Sequence, residues 1–198
     1  MKTNPIQDFI LKSEHNLRIA ATVNEMWPEV REKIVSGFLD RLTSRLRKKL
    51  KGWDFENWGR CFIEPVPCFY FWKPAWKAQH SEPQYYVSLQ FEDYGRKMTF
   101  GLARNYGLKH IKKRAHCPEL LTAVGKLQPS ASAKTWWEAK VNMRSPAADW
   151  TTPQALWRMQ KDGKFLEEVA EQLVQVAQTC TPIIDRLVRE KWKGKSAF

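Results

Sequence analysis

The sequence predicts an α+β fold in which an antiparallel β-sheet of four to five strands carries long amphipathic helices on one face. Three observations lead to this prediction. Apolar residues recur at every fourth position over 28–50, short aromatic and β-branched segments fill 59–104, and a heptad-like apolar spacing returns over 164–191. The length suits one domain, residues 1–198, with residues 1–26 as an N-terminal helical appendage.

The N-terminal third is predicted to be helical. Residues 5–26 have only a partial apolar face, whereas a regular helix is expected to begin near Pro28, because the fixed φ of proline and its missing N–H suit a first helical turn. Gly52 is placed to end this helix. Its core-facing stripe is Val30, Ile34, Phe38, Leu42, Leu46 and Leu50.

The middle of the chain is predicted to form strands at 60–64, 68–73, 84–92 and 97–104, separated by prolines and by Gly95. In the third of these segments, tyrosine and aliphatic residues alternate with polar ones, as in a strand with one buried face. The turn 93–96 then joins two strands in a hairpin, so the sheet is expected to be antiparallel.

The second half is predicted to alternate helices and one further strand. A short helix is expected over 118–126, a strand over 135–143 and another short helix over 152–160. The long helix over 164–191 contains Pro182, which removes one hydrogen bond of the helical ladder. A kink or break near Thr181 is therefore expected.

Composition limits the class of protein. The chain has 33 Lys and Arg against 21 Asp and Glu, a formal charge of +12, which favours polyanionic partners. No signal peptide or membrane-spanning apolar run is evident, so a cytoplasmic protein is expected. The four cysteines and four histidines complete no zinc pattern, and we expect neither metal nor cofactor.

The basic segment 104–114 is the first candidate site. It contains five fixed positive charges and no acidic residue, and it could follow a phosphate backbone while its tyrosine stacks on a base. The alternative is a solvated connection whose charges only aid solubility, and the sequence leaves both interpretations open. The candidate nucleic-acid-binding residues are Arg104, Tyr106, Lys109, Lys112, Lys113 and Arg114.

A second basic cluster ends the helix that begins near Pro28. Arg41, Arg45 and Lys48 share one helical face by their spacing of four and three, and they could meet phosphates. Cations are also expected in the last turns of a helix, because they complement its negative end. The sequence favours this structural interpretation, with a contribution to nucleic-acid binding as the alternative.

A third candidate is the segment 136–140, Trp-Trp-Glu-Ala-Lys. On a regular strand Glu138 and Lys140 point the same way, as the E-x-K half of a magnesium-dependent nuclease site requires. Such a site needs a further acidic residue, and the only plausible one, Asp93, lies in a turn. We therefore favour a surface pair flanked by core tryptophans, with no catalytic residue and no metal site assigned.

Several tryptophan-containing segments resemble a known group. The resemblance depends on short segments that lie between two long amphipathic helices and on their order along the chain. These segments are Trp76, the strand 98–102, the segment 136–140, Asp149–Trp150 and Leu156–Trp157. Over about residues 28–190 the chain is similar to the C-terminal, non-catalytic region of bacterial and prophage PD-(D/E)XK nuclease-superfamily proteins. The resemblance implies a stand-alone accessory domain without the nuclease core, in mobile-element or phage-defence biology.

These observations favour a non-enzymatic, nucleic-acid-binding accessory protein that contacts DNA or RNA through the basic segments. One alternative is a protein-interaction module, either an inhibitor or a complex subunit, that docks on an acidic partner with tryptophans as its buried anchors. The second alternative is a small metal-dependent nuclease that uses Glu138 and Lys140.

Overall fold

The computed structural model describes residues 4–58, 68–77, 82–92, 96–105, 108, 115–144 and 148–193. Five α-helices and six strands are assigned within these residues. Their order is α1 Pro5–Leu11, α2 Glu14–Lys49, β1 Asp54–Trp58, β2 Cys68–Trp72, a 3₁₀ turn Pro74–Lys77, β3 Tyr85–Glu92, β4 Lys97–Arg104, α3 Pro118–Leu127, β5 Ser132–Lys134, β6 Trp137–Asn142, α4 Pro153–Lys161 and α5 Gly163–Lys193.

The six strands form one fully antiparallel sheet in the order β1-β2-β3-β4-β6-β5. The α+β class and the antiparallel sheet are confirmed, with one strand more than the predicted four to five. Two edge strands, β1 and β5, were not predicted, because they are short and lack an apolar alternation. The strand predicted over 60–64 lies outside the described residues.

One face of the sheet is apolar and carries the helices. Strand pairing places Phe71, Val87 and Leu102 side by side on this face, where all three are buried. The guanidinium of Arg47 in α2 lies over the ring of Phe55, 5.8 Å from its centroid. The predicted packing of the long helices on one face is therefore confirmed.

The last helix is anchored to the sheet through tryptophan. The indole N–H of Trp76 donates a hydrogen bond to Asp185 Oδ1 of α5 at 3.0 Å, and its ring packs edge-on against Trp53. The helix is not broken at Pro182, because it continues from Gly163 to Lys193. Burial of Ile183, Ile184 and Val188 beyond the proline stabilises this final part.

The second helix begins earlier than predicted. Ser13 caps α2 by accepting a hydrogen bond from the Asn16 N–H at 3.2 Å, so Pro28 lies inside the helix and not in its first turn. Buried residues begin only at Val35. We call α1 together with the N-terminal half of α2, residues 5–33, the helical arm, and residues 34–193 the body. The α2 part of the arm is about 30 Å long.

Candidate interaction surfaces

Arg104 was predicted to contact phosphate, and the structure places it in the core. It is only 5% exposed, and its Nη2 donates a hydrogen bond to the Thr135 carbonyl at 2.8 Å. Its Nη1 lies 3.9 Å from Oε1 of Glu138, a side chain with no solvent exposure. Arg104 pairs with Tyr85 across the sheet, on the apolar face. The prediction for Arg104 is therefore wrong, because its charge serves a buried ion pair.

The remaining candidates of the basic segment lie outside the described residues. Their assignment to nucleic-acid binding stays a prediction. These candidates are Tyr106, Lys109, Lys112, Lys113 and Arg114.

The cluster on α2 is largely used to hold helices together. Arg41 Nη2 donates to the carbonyl oxygen of Met159 at 2.5 Å, near the C-terminal end of α4. Arg45 Nε lies 3.1 Å from the carboxylate of Glu167 in α5. Lys49 pairs with the same carboxylate, and the hydrogen bond from Lys49 lowers the pKa of Glu167. Arg41 and Arg45 thus tie α2 to α4 and α5, a structural role other than the predicted complement to the negative end of their own helix, and their contribution to nucleic-acid binding stays a prediction.

Lys48 is exposed like Arg41 and Arg45, but within the described part of the chain it forms no ion pair or hydrogen bond. With Asp40, Thr43, Ser44, Arg47 and Phe55 it lines an open groove of about 590 Å³ between α2 and β1. Both cations are therefore available to an anionic ligand at the C-terminal end of α2.

Glu138 and Lys140 do not form an E-x-K site. The pairing between β4 and β6 shifts at Leu102 and Ala103, so Glu138 is the extra residue of a β-bulge. Glu138 turns toward α3 and accepts a hydrogen bond from the Cys117 N–H at 2.8 Å, whereas Lys140 donates to Glu92 Oε1 at 2.5 Å. The prediction that both side chains point the same way is wrong, and so is the surface pair, because Glu138 is fully buried. Asp93 lies outside the described residues.

The second face of the sheet is also buried, and its polar side chains lie beside aromatic ones such as Tyr70 and Tyr86. Ser88, Gln90 and Thr99 are each at most 1% exposed, and Thr99 donates a hydrogen bond to Glu92 at 3.1 Å. Strand alternation puts Lys140 on this face, beside Gly101. Sequence alternation predicted a strand with one buried face at 84–92, and this prediction is wrong, because the strand is buried on both faces. The buried Ser88 hydroxyl has no hydrogen-bond partner among the described residues.

Most of the described tryptophans serve packing. Trp150, for example, packs edge-on against Phe91 and donates its indole N–H to the Glu92 carbonyl at 3.0 Å. Two described tryptophans, Trp27 and Trp157, are exposed. The buried tryptophans are Trp72, Trp76, Trp136, Trp137 and Trp150.

The helical arm presents the largest set of exposed apolar side chains in the described part of the chain. Four of them, Ile19, Val23, Met26 and Val30, recur at intervals of four, three and four residues and form the arm stripe. Such spacing is typical of a coiled-coil seam. The other exposed apolar residues of the arm are Ile6, Phe9, Leu11, Leu17 and Trp27.

Sequence reasoning missed the arm stripe because it placed a helix boundary at Pro28. The 4-3-4 spacing that crosses this proline was the available signal. At the base of the arm, the guanidinium of Arg31 lies over the Trp150 ring at 5.9 Å, where α2 meets the body. No helix of the described ranges is long and apolar enough to cross a membrane.

The described residues contain no group of three His, Cys, Asp or Glu side chains that could hold a metal ion. Burial raises the pKa of the Cys180 thiol to about 12, so this cysteine is a core residue and a poor nucleophile. Comparison with protein-family models, with curated proteins and with solved structures gives no significant match for the chain. The resemblance to the PD-(D/E)XK group therefore stays a prediction.

Proposed function

We propose that this chain is a protein-interaction module whose helical arm binds an apolar helix of a partner. The observation that supports the proposal is the arm stripe. Its four apolar side chains lie along one face of the helix, and the body leaves them exposed. Contiguous exposed apolar surface on a soluble domain is characteristic of an interaction site. Anchors spaced three and four residues apart are the pattern by which one helix packs on another.

Charge narrows the chemistry of the partner. Residues 1–33 contain five Lys or Arg and five Asp or Glu, so the arm has no formal net charge, and the whole excess of +12 belongs to residues 34–198. A neutral apolar stripe matches an uncharged apolar helix face better than an acidic surface. We therefore replace the acidic partner of the sequence-based alternative with an apolar one at the arm.

Site-specific photo-crosslinking tests this proposal. A photoreactive phenylalanine analogue replaces Val23 in the stripe, and in the matched control it replaces Glu25, about 200° around the helix. Both variants are expressed in the cells that naturally produce the chain and irradiated there. We expect a discrete protein adduct from position 23, mapped to one helix of the adduct. Equal adducts at both positions, or none at position 23, would contradict the proposal.

Nucleic-acid binding by the body is a second candidate, favoured by the confinement of the excess positive charge to residues 34–198. Arg47 and Lys48, in the groove beside β1, are suited to phosphate contacts, as are the predicted residues Lys109 and Arg114. Binding to labelled DNA and RNA, measured by fluorescence anisotropy at two salt concentrations, tests this candidate. We expect salt-dependent affinity that falls when Lys109, Lys112, Lys113 and Arg114 are changed to Ala. Salt-independent binding would count against it.

The cellular setting belongs to the same proposal. Among the described residues, Cys117 and Cys180 are free thiols, as in proteins of the reducing cytoplasm. The mobile-element or phage-defence role implied by the resemblance would suit a module that recruits a partner without catalysing a reaction.

A further inference from the structure

The helical partner of the arm has an identifiable chemistry. Building on the proposed function, we infer that the partner is the arm of a second copy, paired in the antiparallel direction. The next seam positions beyond the two ends of the stripe hold polar residues, Asn16 and Lys33, each three positions from the nearest apolar member. Ile34, beside Lys33, continues the apolar face into the core of the body. The pattern over 16–33 is therefore polar at both ends and apolar in the middle.

This pattern is complementary to itself under a two-fold axis between Asn24 and Glu25. In an antiparallel pair, Ile19 lies opposite Val30 of the other copy and Val23 lies opposite Met26 of the other copy. The two-fold symmetry makes each of these contacts occur twice in the dimer. Each of the four apolar residues thus faces an apolar residue of the other copy. A hydrophobic seam of this kind needs no residue from any other protein.

The polar ends support the same register. The axis places Lys33 of one copy opposite Asn16 of the other. The amide nitrogen Nδ2 of Asn16 already donates to the Phe9 carbonyl at 2.6 Å. The amide oxygen Oδ1 of Asn16 is a natural acceptor for the lysine ammonium. Parallel pairing would instead put Lys33 opposite Lys33, two like charges at the end of an apolar seam. The antiparallel direction is therefore favoured by charge.

Size complementarity beside the seam agrees. Trp27 and Ala20 flank the stripe on the same side, seven residues apart. In the antiparallel pair the large Trp27 ring of one copy lies close to the small Ala20 of the other. Trp27 is 37% exposed and can bury the rest of its ring in this contact.

The basic bodies also favour this arrangement. Residues 34–198 of each copy carry the whole formal charge of +12, so two bodies side by side would repel each other. In the antiparallel pair the bodies lie at opposite ends, with the two positions 34 about 28 Å apart along the helix axis. That separation exceeds the Debye length of about 8 Å at physiological ionic strength, so the repulsion is largely screened.

Two charge variants test the direction of pairing as well as its existence. Sedimentation equilibrium is measured for the full chain, for Val23→Lys, for Met26→Glu and for an equimolar mixture of the two variants. We expect the unmodified chain to have twice its 23.3 kDa monomer mass. Each variant alone buries two unpaired charges per dimer, so its dissociation constant should rise on the order of 100-fold or more.

The mixture should recover the dimer. The antiparallel register places the lysine introduced at position 23 of one variant opposite the glutamate introduced at position 26 of the other, and it leaves one Val23–Met26 contact unchanged. In Glu25→Gln, the control variant, the dissociation constant should stay within about twofold, because position 25 faces away from the seam. Far-UV circular dichroism confirms that every variant keeps its helices.

Three results would overturn the inference: a monomeric unmodified chain at every concentration, variants that still dimerise, or a mixture that stays monomeric. A monomeric chain whose position 23 still crosslinks to another protein would leave the proposed function standing and remove only the second copy. A chain that neither dimerises nor crosslinks would remove both.

Discussion

The two halves of α2 carry the same kind of apolar stripe, and only the C-terminal half is covered by the chain's own body. Phe38 and Leu42 have no solvent exposure, and Phe38 stacks on Phe165 of α5 at 5.7 Å. Val23 and Met26, on the same helix, are more than half exposed. Apolar periodicity therefore indicates a helix face that needs a partner, and it does not indicate whether that partner belongs to the same chain.

The two halves of α2 also differ in where their ion-pair partners lie. In the C-terminal half, Arg45 and Lys49 pair with Glu167 of α5 and tie the helix to the body. In the arm, Arg18 pairs with Glu14 one helical turn away, at 2.6 Å, which stabilises only the helix itself. The C-terminal half is thus held by tertiary contacts, and the arm by helical propensity and its cap at Ser13.

The largest expected effect comes from the buried half. Leu42→Ala removes a fully buried side chain from the contact between α2 and the body and leaves a cavity. We expect the free energy of unfolding to fall by about 3 kcal/mol. Urea denaturation followed by tryptophan fluorescence measures this loss. A change below about 1 kcal/mol would mean that the C-terminal half is packed no better than the arm.

The buried ion pair at the β6 bulge should give the next largest effect. Glu138→Gln keeps the shape of the side chain and removes its charge from the neighbourhood of Arg104. We expect a loss of about 2 kcal/mol, typical of a hydrogen-bonded buried charge that loses its partner. The measurement is the same urea titration.

A double variant serves as the control for this pair. Arg104→Met combined with Glu138→Gln should cost less than the two single changes added together, because each single change leaves the other charge unpaired. Strict additivity would show that the two side chains do not stabilise each other.

The fold was more predictable from the sequence than the candidate sites. Alternation in Tyr85–Glu92 and spacing in 164–191 reflect burial within one chain, so they predict β3 and α5 correctly. Whether a charged side chain is exposed or buried in an ion pair depends on which residues pack against it in the folded chain. Arg104 became a core residue because a one-residue bulge turned Glu138 toward it, and a bulge leaves no mark in the spacing of Trp136–Lys140.

Proline positions show the same limit. Pro28 lies inside α2, although a helix was expected to begin near it, and α5 continues past Pro182 without the break that was one of the two expectations there. A proline costs roughly 3 kcal/mol in a helix interior. The buried residues that follow Pro182 offset this cost, and such tertiary packing is not visible in local sequence.

Lowering the pH should weaken the anchor of the buried half by a smaller amount. The hydrogen bond from Lys49 lowers the pKa of Glu167 below its ordinary value. The contribution of the ionised Glu167 carboxylate to the stability of the folded state is therefore complete above the unfolded pKa of about 4.3. This contribution is lost as the pH falls through the lower folded pKa. Since both side chains are about one-third exposed, we expect only about 0.5 kcal/mol.

A comparison of Glu167→Gln with the unmodified chain isolates this effect. The difference in unfolding free energy should be measurable near about pH 7 and should shrink as the pH falls through the lowered folded pKa of Glu167. A difference that grows on acidification would have the wrong sign for a lowered pKa.

The smallest effect is expected in the arm, and it is the sharpest test of the comparison. Ile19→Ala removes a side chain of the same volume class as Leu42→Ala, on the same helix, at a site that is 43% exposed. Measured in the Val23→Lys background, which prevents pairing, it should change the unfolding free energy by less than about 0.5 kcal/mol. In the unmodified chain it should instead weaken dimerisation, because Ile19 then loses its contact with Val30 of the other copy. A loss of about 3 kcal/mol in the monomeric background would show that the arm folds back on its own body, and the distinction between the two halves of α2 would have to be abandoned.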